Sequence, residues 1–182
     1  PALQTLPQVQ QDALIRSGWV IRVDAGALVW ERGDPATEFM ILLDGEVRLV
    51  ARQGEREVLI GIVQTPGDIL CSPAVCGALP HCCESICNRS TQLLALPRAA
   101  MPVDAGLTQL LMTQLAGRAI RLCRRLREFG GTGPVDQRVA AVLLRLADER
   151  GVPAEDRVQL PRSLARRDLA GLSGCATETL IR

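Results

Sequence analysis

The sequence predicts an α+β protein: an antiparallel roll of short strands, then one long helix, then a small helical unit. Three observations predict it. Between residue 20 and residue 100, short apolar or alternating runs recur with glycine- or proline-bearing turns between them. Near Asp104 the apolar spacing changes to alternating fours and threes, the period of a helix with one narrow seam. Beyond Gly130-Gly131-Thr132-Gly133-Pro134 two more helical patterns follow. With 182 residues, 47% apolar and 23% charged, the chain is long enough for one domain or two small ones and can bury a core. Its apolar runs, such as Phe39-Met40-Ile41-Leu42-Leu43, are far shorter than the roughly 20 residues a membrane helix needs. The first residues lack the basic, apolar, small-residue order of an export signal, so a cytoplasmic protein with no membrane partner is expected.

The elements follow in order. Pro7 to Ser17 reads as a short helix with Val9, Leu14 and Ile15 as its apolar contacts. Strands are expected at Val20–Val23, Leu28–Trp30, Phe39–Leu43, Glu46–Val50, Val58–Val63 and Gln92–Leu96. Asp44-Gly45, between two apolar runs, suits a tight type I′ hairpin. In the long helix Thr108, Met112, Leu115, Ala119, Leu122, Leu126 and Phe129 form the seam, while Arg118, Arg121, Arg124, Arg125 and Arg127 take other faces. A seam this narrow points to pairing with a second copy in a parallel homodimer, the bland alternative being a helix that covers its own domain. A third helix runs from Pro134 to Arg150 with Val135, Val139, Val142, Leu143 and Leu146 apolar. From Leu160 to Arg182 two short helices flank a glycine turn at Gly174, a helix-turn-helix pattern in which Thr177, Glu178 and Arg182 face outward.

Charge and cysteine placement narrow the function. The net charge is only +1, but all 21 basic residues are arginine, and from Arg118 onward 13 of them face eight acidic residues. Arginine holds phosphate or guanine bidentately, so a nucleic-acid surface is sought in the C-terminal third. One histidine, no tyrosine, no phosphate-cradling glycine loop and no nucleophile motif leave little to catalyse with, so no enzyme is expected. Five of the seven cysteines, Cys71, Cys76, Cys82, Cys83 and Cys87, lie within 17 residues together with His81. Thiolates favour zinc, copper(I) and iron–sulfur clusters, and His81 adds a donor for zinc or haem. The spacing matches no standard zinc or ferredoxin pattern, and a redox switch or inert packing stays open beside metal binding. Cys123 and Cys175 are read as packing residues.

Roll, long helix and helix-turn-helix in that order resemble the CRP/FNR family of bacterial transcription regulators over almost the whole chain. Gly33-Asp34-Pro35-Ala36-Thr37-Glu38-Phe39-Met40-Ile41-Leu42-Leu43-Asp44-Gly45-Glu46-Val47 looks like the family's second hairpin, and Pro66-Gly67-Asp68-Ile69 like the start of its ligand cassette. Arg166 to Ala170 and Gly174 to Arg182 are similar to its DNA-reading unit. The resemblance implies a cyclic-nucleotide-binding-like jelly roll over residues 1–103, a dimerisation helix over 104–131 and a winged helix-turn-helix over 132–182, incomplete because the chain stops inside the recognition helix before the wing. It implies a homodimer on a pseudo-palindromic DNA operator, with RNA polymerase as a further partner.

By the same resemblance Glu178 and Arg182 read bases, Arg166 and Thr179 hold phosphates, and Arg167 is a further backbone contact. Glu accepts from the cytosine amino group and Arg donates to guanine. Thr177 and Ile181 depart from the two main branches, which place Arg and Ser there. The arginine that would bind a cyclic phosphate is missing: Ala78 stands at its place, and Arg89-Ser90 comes too late in the chain. Cyclic nucleotide is therefore disfavoured, and the effector is expected at the Cys71–Cys87 segment as an iron–sulfur cluster, another thiolate-bound metal or a redox change. Haem, and a roll that acts only through protein partners, are the alternatives.

Overall fold

A computed structural model describes residues 6–53, 56–70, 79–98, 105–130, 133–160 and 164–181. Cys71, Cys76, Ala78 and Arg182 lie outside these residues, as do the side chains of Leu126 and Phe129. The chain divides into two compact units, Pro1–Arg56 with Ile60–Arg118, and Ala119–Arg182 with Glu57–Leu59. No described helix is long and apolar enough to cross a membrane.

The first unit begins with α1 (Gln8–Ser17), followed by β1 (Trp19–Val23), β2 (Leu28–Trp30), β3 (Glu38–Asp44), β4 (Val47–Gln53), β5 (Arg56–Val63), β6 (Glu84–Cys87) and β7 (Thr91–Pro97). One sheet has the order β1-β7-β3 and the other β2-β6-β4-β5. Strand β7 pairs antiparallel with β1 and β3, and β6 with β2 and β4. Successive strand side chains point to opposite faces, so β3 serves two cores. Phe39 and Ile41, opposite Leu96 and Leu94, join Leu14, Ile69 and Leu111 in one cluster. Leu42, opposite Leu93, joins Trp30, Val47, Leu49, Val63, Leu70, Cys83 and Cys87 in the other. A strand covered on both faces needs no polar alternation, which explains the unbroken apolar run Phe39–Leu43.

Three expectations are corrected here. Asp44-Gly45 is not a hairpin turn, because β3 and β4 belong to different sheets. The chain turns a corner at Gly45, whose φ is +116°, and the Glu46 N–H then donates to the Thr91 hydroxyl at 3.3 Å. In α1 only Leu14 is buried, while Val9 and Ile15 are exposed. They lie five positions before and one after Leu14, so a period of 3.6 turns them off its face. The cysteine-rich segment also contains a strand, β6, that the sequence reading does not anticipate.

Gly45 yields the first testable result. A Cβ there would lie 2.6 Å from the Thr91 Cα, in a left-handed conformation that side chains rarely adopt. Gly45→Ala should lower stability by more than about 1 kcal/mol, read from the urea midpoint at unchanged slope. An unchanged midpoint contradicts this account of the corner.

Helix α2 (Ala105–Gly130) contributes to both units. The second unit continues with α3 (Val135–Arg150), β8 (Val152–Ala154), β9 (Arg157–Gln159), α4 (Arg166–Ser173) and α5 (Thr177–Ile181). The β8–β9 hairpin is a second element absent from the sequence reading; its strands have three residues each and one contains Pro153, too little for a period-two signal. Val142 and Leu146, one turn apart, are the fully buried residues of α3. Asp168 is fully buried in the first turn of α4 and accepts from the Ala165 N–H at 3.3 Å, satisfying a donor at the helix start. At the other end Gly174 is left-handed (φ +63°, ψ +33°). The Cys175 N–H bonds to the Ala170 carbonyl at 3.1 Å, and the Gly174 N–H to that of Gly171 at 3.4 Å. This pair of bonds is a Schellman ending, and it fixes the turn into α5.

Candidate effector segment and nucleic-acid interface

The part of the cysteine segment that the structure describes is tied to the β2 turn by its backbone. Gly33 N–H donates to the His81 carbonyl at 2.9 Å, His81 N–H to Asp34 at 2.8 Å, and the Trp30 indole Nε1 to the Cys83 carbonyl at 2.9 Å. The His81 ring stacks on Trp30 with centroids 4.2 Å apart and planes 12° from parallel. Burial pushes the His81 imidazole below its ordinary value against the opposing pull of Asp34 and Glu38, so it is held neutral.

The cysteines divide sharply by environment. Cys83 and Cys87 are buried in the core between the sheets, and Cys82 is exposed. Burial, reinforced by the neighbouring Cys82 thiol, pushes Cys83 up to about 12 against the opposing charge of Arg118. Burial also raises Cys87, against a hydrogen bond with Thr91. In the metal-free chain burial thus keeps both thiols protonated. Among the described residues no three His, Cys, Asp or Glu side chains group as metal ligands do. In this structure Cys83 and Cys87 pack among apolar side chains. Cys82 is the described thiol of the segment that solvent reaches.

Arg89 is held at the corner next to Gly45. It lies in the turn between β6 and β7, donates to the Gly45 carbonyl at 3.1 Å and stands 3.7 Å from the Asp44 carboxylate, with its side chain largely exposed.

On α2, Leu111 is buried in the roll, whereas Met112 is 67% and Leu122 40% exposed. Leu115 is half-buried and Ala119 exposed. From Ala119 to Arg124 every side chain is exposed, Cys123 among them, so Cys123 is not a packing residue within the chain. Gln114, which the sequence does not single out, and Arg118, expected only to lie off the seam, reach the roll, both hydrogen-bonded to the backbone of Gly67–Leu70. The signal was present in their spacing, since Leu111, Gln114 and Arg118 form a stripe beside the seam.

In the second unit Arg166 and Arg167 are exposed on the first turn of α4, with Arg167 Nε 4.0 Å from Asp168. Glu178 and Thr179 are exposed on α5, but Thr177 is half-buried. Neighbouring helical residues diverge by about 100°, so a face centred on Glu178 and Thr179 turns Thr177 partly inward. Ile181, at 59% exposure, shares the outer surface. Cys175 is half-buried beside the turn.

The cyclic nucleotide-binding domain family matches residues 20–102, the span from β1 through β7. No curated protein matches the chain by sequence. Among solved structures, the c-di-GMP-responsive global regulator CLP of Xanthomonas campestris is 18% identical, with a TM-score of 0.83 over 97% of this chain and 89% of its own. The chain shares the fold of this regulator. FixK2 from Bradyrhizobium japonicum is similar at 19% identity, with a TM-score of 0.73, 91% of this chain and 81% of that one covered. The CRP/FNR transcriptional regulator TTHA1359 of Thermus thermophilus is 22% identical, with a TM-score of 0.69 and coverage of 90% and 82%. The residues matched by the cyclic nucleotide-binding domain family are those of the roll, and the structural similarity covers 90–97% of the chain.

Proposed function

We propose that the chain is a sequence-specific transcription regulator of the CRP/FNR type, acting in the cytoplasm as a homodimer on a pseudo-palindromic operator. The observation that carries this reading is the α4–Gly174–α5 unit, which presents Glu178 and Thr179 to solvent beside the exposed Arg166 and Arg167. In this reading α5 with Arg182 enters the major groove, Glu178 accepts from cytosine, and Arg166, Arg167 and Thr179 hold phosphates. Ile181 adds an apolar contact suited to a thymine methyl. RNA polymerase is the further partner at the promoter.

The effector acts at residues 71–87. Thiol chemistry or metal binding there draws on Cys71, Cys76, His81, Cys82, Cys83 and Cys87, of which Cys82 is the described thiol that solvent reaches, and a thiolate metal or redox state remains the favoured signal over a cyclic nucleotide. Metal and sulfide content after purification without oxygen tests this part.

Selection from a pool of random duplexes tests DNA reading. The chain should enrich a two-fold symmetric site, and Glu178→Ala should lose discrimination of about 1–3 kcal/mol at one base pair of each half-site. Binding that never rises above the salt-dependent background shared by all duplexes overturns the assignment.

A further inference from the structure

Helix α5 divides its side chains between two surfaces. Thr177 and Leu180, three residues apart, are half-buried, while Glu178, Thr179 and Ile181 face solvent. Ile181 is 59% exposed, and among the described residues of this outer surface it is the aliphatic one. It follows Glu178 by three positions, so the two side chains are neighbours, about 60° apart around the axis and about 4.5 Å apart along it. That separation is close to the rise of one base pair, about 3.4 Å. A β-branched side chain on a helix has one strongly preferred rotamer, so Ile181 presents its methyl groups in a fixed place with little entropy to lose. It has neither donor nor acceptor. In a major groove it therefore tells bases apart only through apolar surface, and the C5-methyl group is the apolar group displayed there. Against guanine O6 and N7, or an unmethylated cytosine edge, the same side chain would displace water from polar atoms without replacing its hydrogen bonds.

We propose that Ile181 makes operator affinity depend on a pyrimidine C5-methyl group beside the cytosine that Glu178 reads, so that methylation of cytosine at that place tightens binding. The inference rests on the DNA reading proposed above and deepens it. Thymine supplies the methyl group in unmodified DNA, and 5-methylcytosine supplies the same group at a C·G pair. Glu178 and Ile181 then have separate roles: the carboxylate fixes one cytosine by its amino group, and the aliphatic side chain reads the neighbouring base by its methyl alone. Removing that methyl leaves Ile181 facing water, an effect of about fourfold per half-site and about 15-fold for both half-sites of a symmetric operator.

The test uses the full chain and the duplex it selects, with binding read by fluorescence anisotropy. Each thymine within two base pairs of the pair relaxed by Glu178→Ala is replaced in turn by deoxyuridine, which removes the methyl group and nothing else. One such replacement in each half-site should weaken binding by the parent about 15-fold. Ile181→Ala, whose helices are checked by circular dichroism, should bind the thymine and deoxyuridine duplexes alike. A further duplex carries C·G in place of that T·A pair, and 5-methylcytosine there should raise the parent's affinity by the same factor as thymine does over deoxyuridine. Equal binding of the thymine and deoxyuridine duplexes, equal binding with and without 5-methylcytosine, or a preference that persists undiminished in Ile181→Ala overturns the inference. A chain that selects no site fails the DNA reading itself, whereas one that selects a site and ignores the methyl group fails only this inference.

Discussion

In the proposed homodimer Leu122→Glu is expected to break the pairing, raising the dissociation constant more than 100-fold. Leu122 lies on the expected seam of α2 and is 40% exposed in the single chain, which leaves surface for a second copy to cover. Across a parallel two-fold seam the same position faces itself, and two carboxylates would be brought together away from water. Stranding buried unpaired charge costs about 3–5 kcal/mol, which sets the size of the effect. Thr113→Glu, at an exposed position off the seam, is the control and should leave association unchanged. Sedimentation equilibrium reads the result, with circular dichroism showing that the helix persists. A parent chain that sediments as a monomer, or a Leu122→Glu variant that still associates like the parent, removes the homodimer from the proposed mechanism.

The roll is expected to lose stability in alkali before its other ionisations explain it. Cys83 binds its proton up to about pH 12 in the folded chain, against an ordinary thiol value of 9.0, and Cys87 is raised in the same direction. Above pH 9 the unfolded chain therefore carries fewer protons than the folded one, and stability falls as pH rises from 9 toward 12. Each thiol contributes a slope of at most about 1.4 kcal/mol per pH unit. Urea midpoints between pH 7 and 11 should be flat to pH 8.5 and then decline, and Cys83→Ala should remove part of the decline. Iodoacetamide at pH 8 should label Cys82 and spare Cys83 and Cys87. A flat profile through pH 11, or labelling of Cys83 at the rate of Cys82, contradicts the burial argument.

The two thiol classes also show why the candidate effector segment was only half legible. Clustering of five cysteines identified an unusual stretch, but residue type alone cannot separate a ligand from a small core side chain. That separation depends on which cysteines alternate inward on β6, and Glu84-Ser85-Ile86-Cys87 has no apolar alternation to announce a strand. Its pairing to β2 and β4 is supplied by partners more than 30 residues away. Gln114 and Arg118 were hidden for the opposite reason. On a helix they read as ordinary exposed polar residues until the edge they hold is folded against them. The α4–α5 unit was more legible because its signal is local: Gly174 at the left-handed ending acts within a few residues of itself.

What the linear order of residues determined by itself is the set of elements whose energetics are short-ranged: the period of α2, the strands from Leu28 to Val63 in outline, and the glycine-turned pair α4–α5. What only the tertiary structure decided is pairing and burial. It placed β3 and β4 in separate sheets, turned Val9 and Ile15 to solvent, assigned Cys83 and Cys87 to the core, and brought Gln114 and Arg118 onto Gly67–Leu70. The physical reason is that helix periods and capping bonds close within one or two turns of chain. Strand partners, thiol ionisation and side-chain contacts to a distant backbone are instead set by whatever the rest of the fold delivers to that place.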